Sequence, residues 1–551
     1  MISSYQSNLE NFYYWTQEKP NEIFLKQPIG DNFIDFTYQE AGNHVNKLAA
    51  FLQEKVQSGP KHVGIMAKNS AYWILADLAI SSAACVSVPF YATLTSEQLN
   101  EVLVHSDCQV LIVGKLDHWD SIKSGIPANV LIIHTPESEG KDSIQWNDIL
   151  NQEFPAFQPH KPQHNELSTI VYTSGTTGSP KGVMISNSSV TQAINLARKI
   201  AHLDTPNARF ISYLPLCHIA ERNIVEFASI ASGGTIYFVE NLLTFKENLH
   251  RANPTHFLAV PRIWSKFQEG ILEKIGGQKK LDLLLKVPIF NQIVKNKIKK
   301  GLGLDKAILM ITGAAPMPPE LLKWYQKIDF FIQEAYGMTE NMGLNSLMPR
   351  DEIRIGTVGK IHENCQTRID PETKEIQMKA DYNSWGYYKE DQLTQELFVD
   401  GWLKTGDMGE IDSNGFLSII GRVKDNFKTS KGHYVSPAPI ENNLSIDPHI
   451  EQCCVVGINL PQPIALIVLS LEGKKLEQGT LIKNLEDLME NTNPHFKKYE
   501  HLSKMIVLQE DWTIENNCLT PTLKIKRPII EQKYLALFET WNNQIESIIF
   551  E

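Results

Sequence analysis

Four things are scarce in this 551-residue chain. Positive charge is one: 52 basic against 63 acidic residues leave a formal net charge of −11, which argues against a broad nucleic-acid-binding surface. Cysteine is another. The seven cysteines form no C-x-x-C pair, and an odd, scattered set is expected of reduced thiols in a cytoplasm. Long apolar runs are missing too: the nearest approach, "WILADLAISSAACVSVPF", is interrupted by Asp77 and several serines and reads as a buried helix followed by a strand. The opening residues, "MISSYQSNLENFYYW", lack the basic start and apolar core of a secretory signal. No internal repeat or low-complexity tract breaks the pattern.

What is present is ordinary for a folded protein: 42% hydrophobic and 21% charged residues. The length exceeds what one core supports, so at least two domains are expected. From about residue 60, short β-like runs ("HVGIMA", "CVSVPF", "QVLIVG", "RFISYLP", "AILMITG") alternate with helical patterns, which predicts parallel sheets covered by helices. After Gly356 the runs shorten and the turns tighten, predicting a small antiparallel β unit. From about Asp425 a separate α+β domain is expected, with strands such as "QCCVVGI" and "IALIVLS". The segment "FNQIVKNKIKKGLGL" is basic and amphipathic. A membrane surface and a solvated helix face both accommodate it; its short basic run within an acidic chain favours the solvated face.

The densest chemical signal is "VYTSGTTGSPKGVMISN", Val171 to Asn187. A strand running into a loop of glycines and hydroxyls, with one lysine, suits an anion: backbone N–H groups can turn toward it and Lys181 adds charge. It is not a Walker A loop, since Pro180 precedes the lysine and Gly182 follows it.

The stretch "TSGTTGSPKG" resembles the signature loop of the adenylate-forming (AMP-binding) enzymes, the group of acyl-CoA synthetases, luciferases and peptide-synthetase adenylation domains. "YGMTE", "GWLKTGD" and "GRVKDNFKTSKGHYVSP" resemble further motifs of that family, in the family's order. The resemblance implies a large N-terminal domain (1–423) of two helix-covered sheets plus a small β-barrel-like unit, and a smaller mobile α+β domain (424–551) turning on Lys424. It implies ATP or AMP contacts from Thr173, Ser174, Gly175, Thr176, Thr177, Gly178 and Lys181, with Gly313, Ala314 and Ala315 beside the adenine. Glu334, Ala335, Tyr336, Gly337 and Thr339 complete that wall, Tyr336 stacking on the base and Thr339 touching the α-phosphate. Asp407 and Arg422 are implied on the ribose, and Glu340, with Thr173 as a weaker candidate, on Mg²⁺.

A lysine near the C-terminus is expected over the α-phosphate. "LTPTLKIKRPII" lacks the glycine that usually precedes it; Lys524 is the choice and Lys526 the alternative, with Lys428 assisting adenylation. "LPLCHIAERN" resembles the long-chain fatty-acyl branch, where His218 borders the acyl pocket, and "VPRIW" sets Trp264 where a relative gates its acyl tunnel, a position a packed core tryptophan fits equally. The expected activity is fatty acid:CoA ligation with ATP, Mg²⁺ and CoA. Loading of an acyl carrier protein, ligation of a medium-chain or aryl acid, and a silent lipid- or nucleotide-binding protein are the rivals. The expected partners are small molecules and not nucleic acid, in the cytoplasm, with peripheral membrane contact left open.

Overall fold

The computed structural model describes residues 6–174, 180–514, 516–520 and 524–551. Among these, two large sheets carry most of the chain. The first has seven strands, with His62–Met66 and Val86–Phe90 near its middle, parallel to one another and to their neighbours. It ends in an antiparallel hairpin of Leu167–Ser174 and Pro180–Ser186. The second has nine strands; Thr235–Phe238, Arg209–Ser212, His256–Leu258, Leu309–Thr312 and Ile332–Tyr336 run parallel through it.

The helix Ala71–Ser82 explains why so apolar a stretch stays inside the protein: all but one of its residues are buried. Its one acid, Asp77, is answered by Arg222, whose Nη2 lies 2.7 Å from Asp77 Oδ2 and whose Nε lies 2.9 Å from Glu226 Oε2. Arg222 Nη1 also donates to Thr169 Oγ1 at 2.9 Å. Arg222 and Glu226 belong to a wide π-helical turn, Arg222–Phe227, of the kind that recurs near functional sites. The charges are thus buried as a paired, hydrogen-bonded cluster, the form in which an interior tolerates them.

The expected antiparallel unit is present as five strands, including Glu375–Lys379, Trp402–Ile411 and Leu417–Arg422. It stays open and does not close into a barrel, because Gln366–Ile369 and Phe398–Val399 end the chain of pairings without meeting. The last sheet joins Ile450–Val456, Ile464–Leu469, Lys504–Val507 and Ile548–Phe550, covered by helices that include Pro437–Leu444 and Gln478–Thr492. All seven cysteines are free and buried. Cys453 and Cys454 are consecutive on a strand, so they point to opposite faces of the sheet and pack in different cores. Their thiols point apart, buried in separate cores, which does not favour a disulfide between them. No described helix is long and apolar enough to cross a membrane.

Candidate active site

The parallel strands Leu309–Thr312 and Ile332–Tyr336 end at the wall of a cavity of about 3280 Å³, where the open ends of such strands place ligands. The hairpin of the first sheet reaches the same wall: Thr173 and Lys181 are register partners and both line it. Ser174 pairs with Pro180 in the backbone. Gly175, Thr176, Thr177 and Gly178 lie outside the described residues.

One end of the cavity presents a held carboxylate. Asp407 Oδ2 accepts from the Tyr336 hydroxyl at 2.7 Å, and Asp407 Oδ1 lies 3.1 Å from Arg422 Nε. Asp407 and Arg422 face each other across adjacent strands. A carboxylate has about four acceptor sites, so two remain for a vicinal diol. Ala314 takes a left-handed turn (φ 64°), keeping the small side chains of the Gly313–Ala315 turn against the wall. Gly337 is required: a Cβ there would stand 2.1 Å from the backbone carbon of Gly343. Glu334 is buried with Oε2 unpaired, and burial pushes its carboxyl up to about 8, so it is protonated near neutrality.

Glu340 is buried beside this end, next to the buried Thr339. Its Oε1 accepts from the Tyr387 hydroxyl at 2.7 Å, and Lys181 Nζ stands 5.1 Å from the centre of the Tyr387 ring. Burial holds the Glu340 carboxyl above its usual range, against the pull of Tyr387, Lys181 and Arg422. The acid is therefore short of positive charge at close range. A carboxylate oxygen on a cavity wall, with neighbouring hydroxyls, fits a hard cation such as Mg²⁺.

Lys524 enters the same cavity. It is tied back to Thr520: Thr520 N donates to Lys524 O at 2.8 Å, and Lys524 N donates to Thr520 Oγ1 at 3.0 Å. The side chain is exposed and lines the cavity. Desolvation and the Arg422 charge push its ammonium down, opposed by Asp407 and Glu340. Lys526 also lines the cavity and donates to Asn517 Oδ1 at 2.5 Å. His218 stands on the same wall, its Nδ1 accepting from Ala220 N at 3.2 Å, which assigns the ring proton to Nε2. Burial and the Lys524 charge push it down to about 4, so it is neutral under ordinary conditions.

The cavity is also walled by apolar residues, Ala193, Ile194, Ala197, Phe227, Leu258 and Ile311. It follows the sheet face from Gly313 back to Leu309, four residues or roughly 13 Å along an extended chain.

The family model for AMP-binding enzymes matches residues 12–381, and the model for the AMP-binding enzyme C-terminal domain matches 424–545. The chain belongs to the AMP-binding enzyme family. It is therefore an adenylate-forming enzyme of the ligase type, working on small molecules that include ATP. The chain is 28% identical to the long-chain-fatty-acid–CoA ligase FadD15 of Mycobacterium bovis, over 96% of each protein. It is 30% identical to the peroxisomal long chain acyl-CoA synthetase 6 of Arabidopsis thaliana, over 91% of this chain and 80% of that one. The adenylation domain of a Mycobacterium chelonae carboxylate reductase shares the fold with a TM-score of 0.81 at 20% identity, covering 98% of this chain and 92% of that one.

Within this AMP-binding enzyme, three residues singled out by motif stand apart from the cavity or at its edge. Trp264 is fully buried, donates to Ala259 O at 3.2 Å and packs edge-on against Phe257, Phe267 and Tyr325. It is a core residue behind the wall; its helix neighbours Arg262 and Ser265 line the cavity instead. Lys428 is exposed on the short strand Phe427–Lys428, its Nζ 5.7 Å from the Tyr434 ring centre. Lys424 lies on the wall, in a turn fixed by Val423 N donating to Gly406 O at 2.9 Å. Tyr387 was not foreseen: it comes from "SWGYYK", a loop with no periodicity, and only the fold carries it to Glu340.

Glu221, three residues past His218, is buried and accepts from Tyr213 N at 2.8 Å, with Oε2 unpaired. Burial raises it from the ordinary 4.5 to about 8. An acid raised on folding contributes stability below its unfolded value and loses it as pH climbs through the folded value. Over pH 6.5 to 8, where the buried histidines are already neutral, Glu221 should make the fold less stable as pH rises. Glu221→Gln should lessen the fall in melting temperature across that interval, with Glu334, raised likewise to about 8, supplying part of what remains; an unchanged slope would count against a neutral Glu221.

Proposed function

We propose that this enzyme joins a long-chain fatty acid to CoA through an acyl-adenylate. The observation that carries the reading is the convergence of Lys524, Asp407, Glu340 and His218 on one cavity that is also walled by apolar residues. A carboxylate oxygen attacks the α-phosphorus of ATP and the bond to the pyrophosphate leaving group breaks. A thiol sulfur then attacks the acyl carbonyl, AMP departs and the thiol proton is released. Lys524 offers its charge to the α-phosphate, Thr173 and Lys181 face the outer phosphates, and Asp407 and Arg422 hold the ribose. The Gly313–Ala315 turn, with Glu334, Ala335, Tyr336 and Gly337, receives the adenine, and Thr339 the α-phosphate. Glu340 would hold Mg²⁺, with Thr173 as a second candidate; when bound, the ion neutralises phosphate charge. Neutral His218 borders the carboxylate end of the acyl pocket without adding a competing charge.

Lys524 over the phosphate and a CoA arm cannot share one entrance. We place the boundary at 423/424 and assign the pivot to Lys424, about which the C-terminal domain rotates between the two half-reactions. Lys428, exposed here, is assigned to adenylation by motif. The roughly 13 Å of apolar wall supports a long chain over a short or aryl acid.

Pyrophosphate release with acids from acetate to C20, with benzoate and cinnamate, tests the reading with and without CoA. Long chains should be preferred and acyl-CoA should form. AMP release without CoA, or preference for an aryl acid, would replace this assignment with a carrier-loading or aryl-acid one. Asp407→Asn should raise the KM for ATP by about 10- to 100-fold, the worth of a charged hydrogen bond, with little effect on the KM for the acid. Equal rises in both would remove Asp407 from the ribose.

A further inference from the structure

The two consecutive helices Gln278–Lys286 and Pro288–Leu302 carry an unusual surface. Leu283 is 64% exposed, Ile289 76%, Phe290 50% and Ile293 55%. On the second helix, Ile289, Ile293, Lys297 and Lys300 are spaced four, four and three apart, which sets them on one face. Ile298 and Leu302 on the opposite face are buried against the second large sheet's core. The outward face is thus apolar at its beginning and basic at its end.

Its charge runs against that of the whole protein. Residues 278–302 contain seven lysines and one acid, Asp282, in a chain whose net charge is −11. Asp282 is engaged with Gln278 Nε2 at 2.7 Å. Lys295 pairs with Asp329 at 3.0 Å, whereas Lys279, Lys280, Lys286, Lys297 and Lys300 make no ion pair among the described residues. Scattered single apolar residues on a surface need no explanation, but a contiguous apolar patch rimmed by unpaired like charges does.

We propose that this helix pair docks on an anionic phospholipid bilayer. Ile289, Phe290 and Ile293 enter the boundary between headgroups and acyl chains, and the lysines lie at headgroup level against the phosphates. A protein partner would need a complementary acidic face. A bilayer surface supplies both halves at once, fluid hydrocarbon for the exposed apolar side chains and delocalised negative charge for the lysines. The patch adjoins the helix Pro261–Ile275, whose Arg262, Lys266 and Leu272 line the cavity, so docking sets one wall of the substrate cavity close to the bilayer. The inference is independent of which acid is activated.

The full-length protein is sedimented with sucrose-loaded vesicles of phosphatidylcholine, with and without 30% phosphatidylglycerol, at low and high salt. Binding should need the anionic lipid and be released by salt. Ile289→Glu with Phe290→Glu, and separately Lys297→Glu with Lys300→Glu, should each lower partitioning by about tenfold or more while leaving pyrophosphate release with a water-soluble acid unchanged. Melting temperatures of the variants report whether they fold. Three outcomes overturn the proposal: no sedimentation of the unsubstituted protein with anionic vesicles, undiminished binding by both folded variants, or a dimer in solution that Ile289→Glu converts to monomer, which would assign the face to a second copy of the chain.

Discussion

Lys524→Ala should slow acyl-adenylate formation, followed as pyrophosphate–ATP exchange, by about two to three orders of magnitude, the usual loss when one donor to a developing oxyanion is removed. The expectation rests on where the chain puts the ammonium. It shares a walled space with Arg422, Asp407 and Glu340, and desolvation there already destabilises its charge. A triphosphate would relieve that cost. Thioester formation from preformed acyl-AMP should change by less than about threefold, because the proposed rotation carries Lys524 away before the thiol enters. Lys526→Ala should leave both steps near normal, since its ammonium is occupied by Asn517. A loss in both half-reactions for Lys524→Ala would undo the assignment of separate conformations; a normal exchange rate would undo the assignment of the residue.

Glu340→Ala should cost a comparable or larger amount, roughly a thousandfold in exchange rate, because several kcal/mol of charge stabilisation depend on the metal it is proposed to hold. The loss should appear as a raised Mg²⁺ requirement, partly recovered at high metal concentration. Tyr387→Phe separates holding from positioning. It removes the 2.7 Å hydrogen bond that fixes the Glu340 carboxylate while keeping the acid, so the Mg²⁺ dependence should shift in the same direction by a smaller factor. If Glu340→Ala keeps its normal Mg²⁺ dependence, the metal is held elsewhere.

The parts of this fold that could be read from sequence were those with a strong local period. Strands such as His62–Met66 and Leu309–Thr312 are largely apolar because helices cover both sheet faces, and the helix Ala71–Ser82 is buried nearly all round for the same reason. The antiparallel unit was legible as short strands but not as an open sheet, since closure depends on whether edge strands meet, a tertiary fact. Motif spacing found the Asp407–Arg422 pair because the two are direct cross-strand neighbours. It could not choose between Lys524 and Lys526: both line the cavity, and what sets them apart is that Lys526 donates to Asn517. Nor could it tell that Trp264 packs behind the cavity wall, because a buried core tryptophan and a tunnel gate make the same one-letter pattern. The basic segment was legible as amphipathic, but which of its apolar side chains face outward depends on which face the second large sheet's core fills, a tertiary fact.

The Arg222 cluster has an evolutionary corollary. Phe227 of the same wide turn lines the cavity, while Arg222 is tied to Asp77 on a helix of the other sheet. Losing Arg222 would leave Asp77 and Glu226 buried without a cation, typically about 3 to 5 kcal/mol of destabilisation, a large share of what any protein can spare. Drift in that stretch is therefore penalised whatever the substrate. Changes in which acid the cavity accepts should accumulate on the helix Asn187–Ile200, at Ala193 and Ala197, where a larger side chain fills the lining without disturbing a charge.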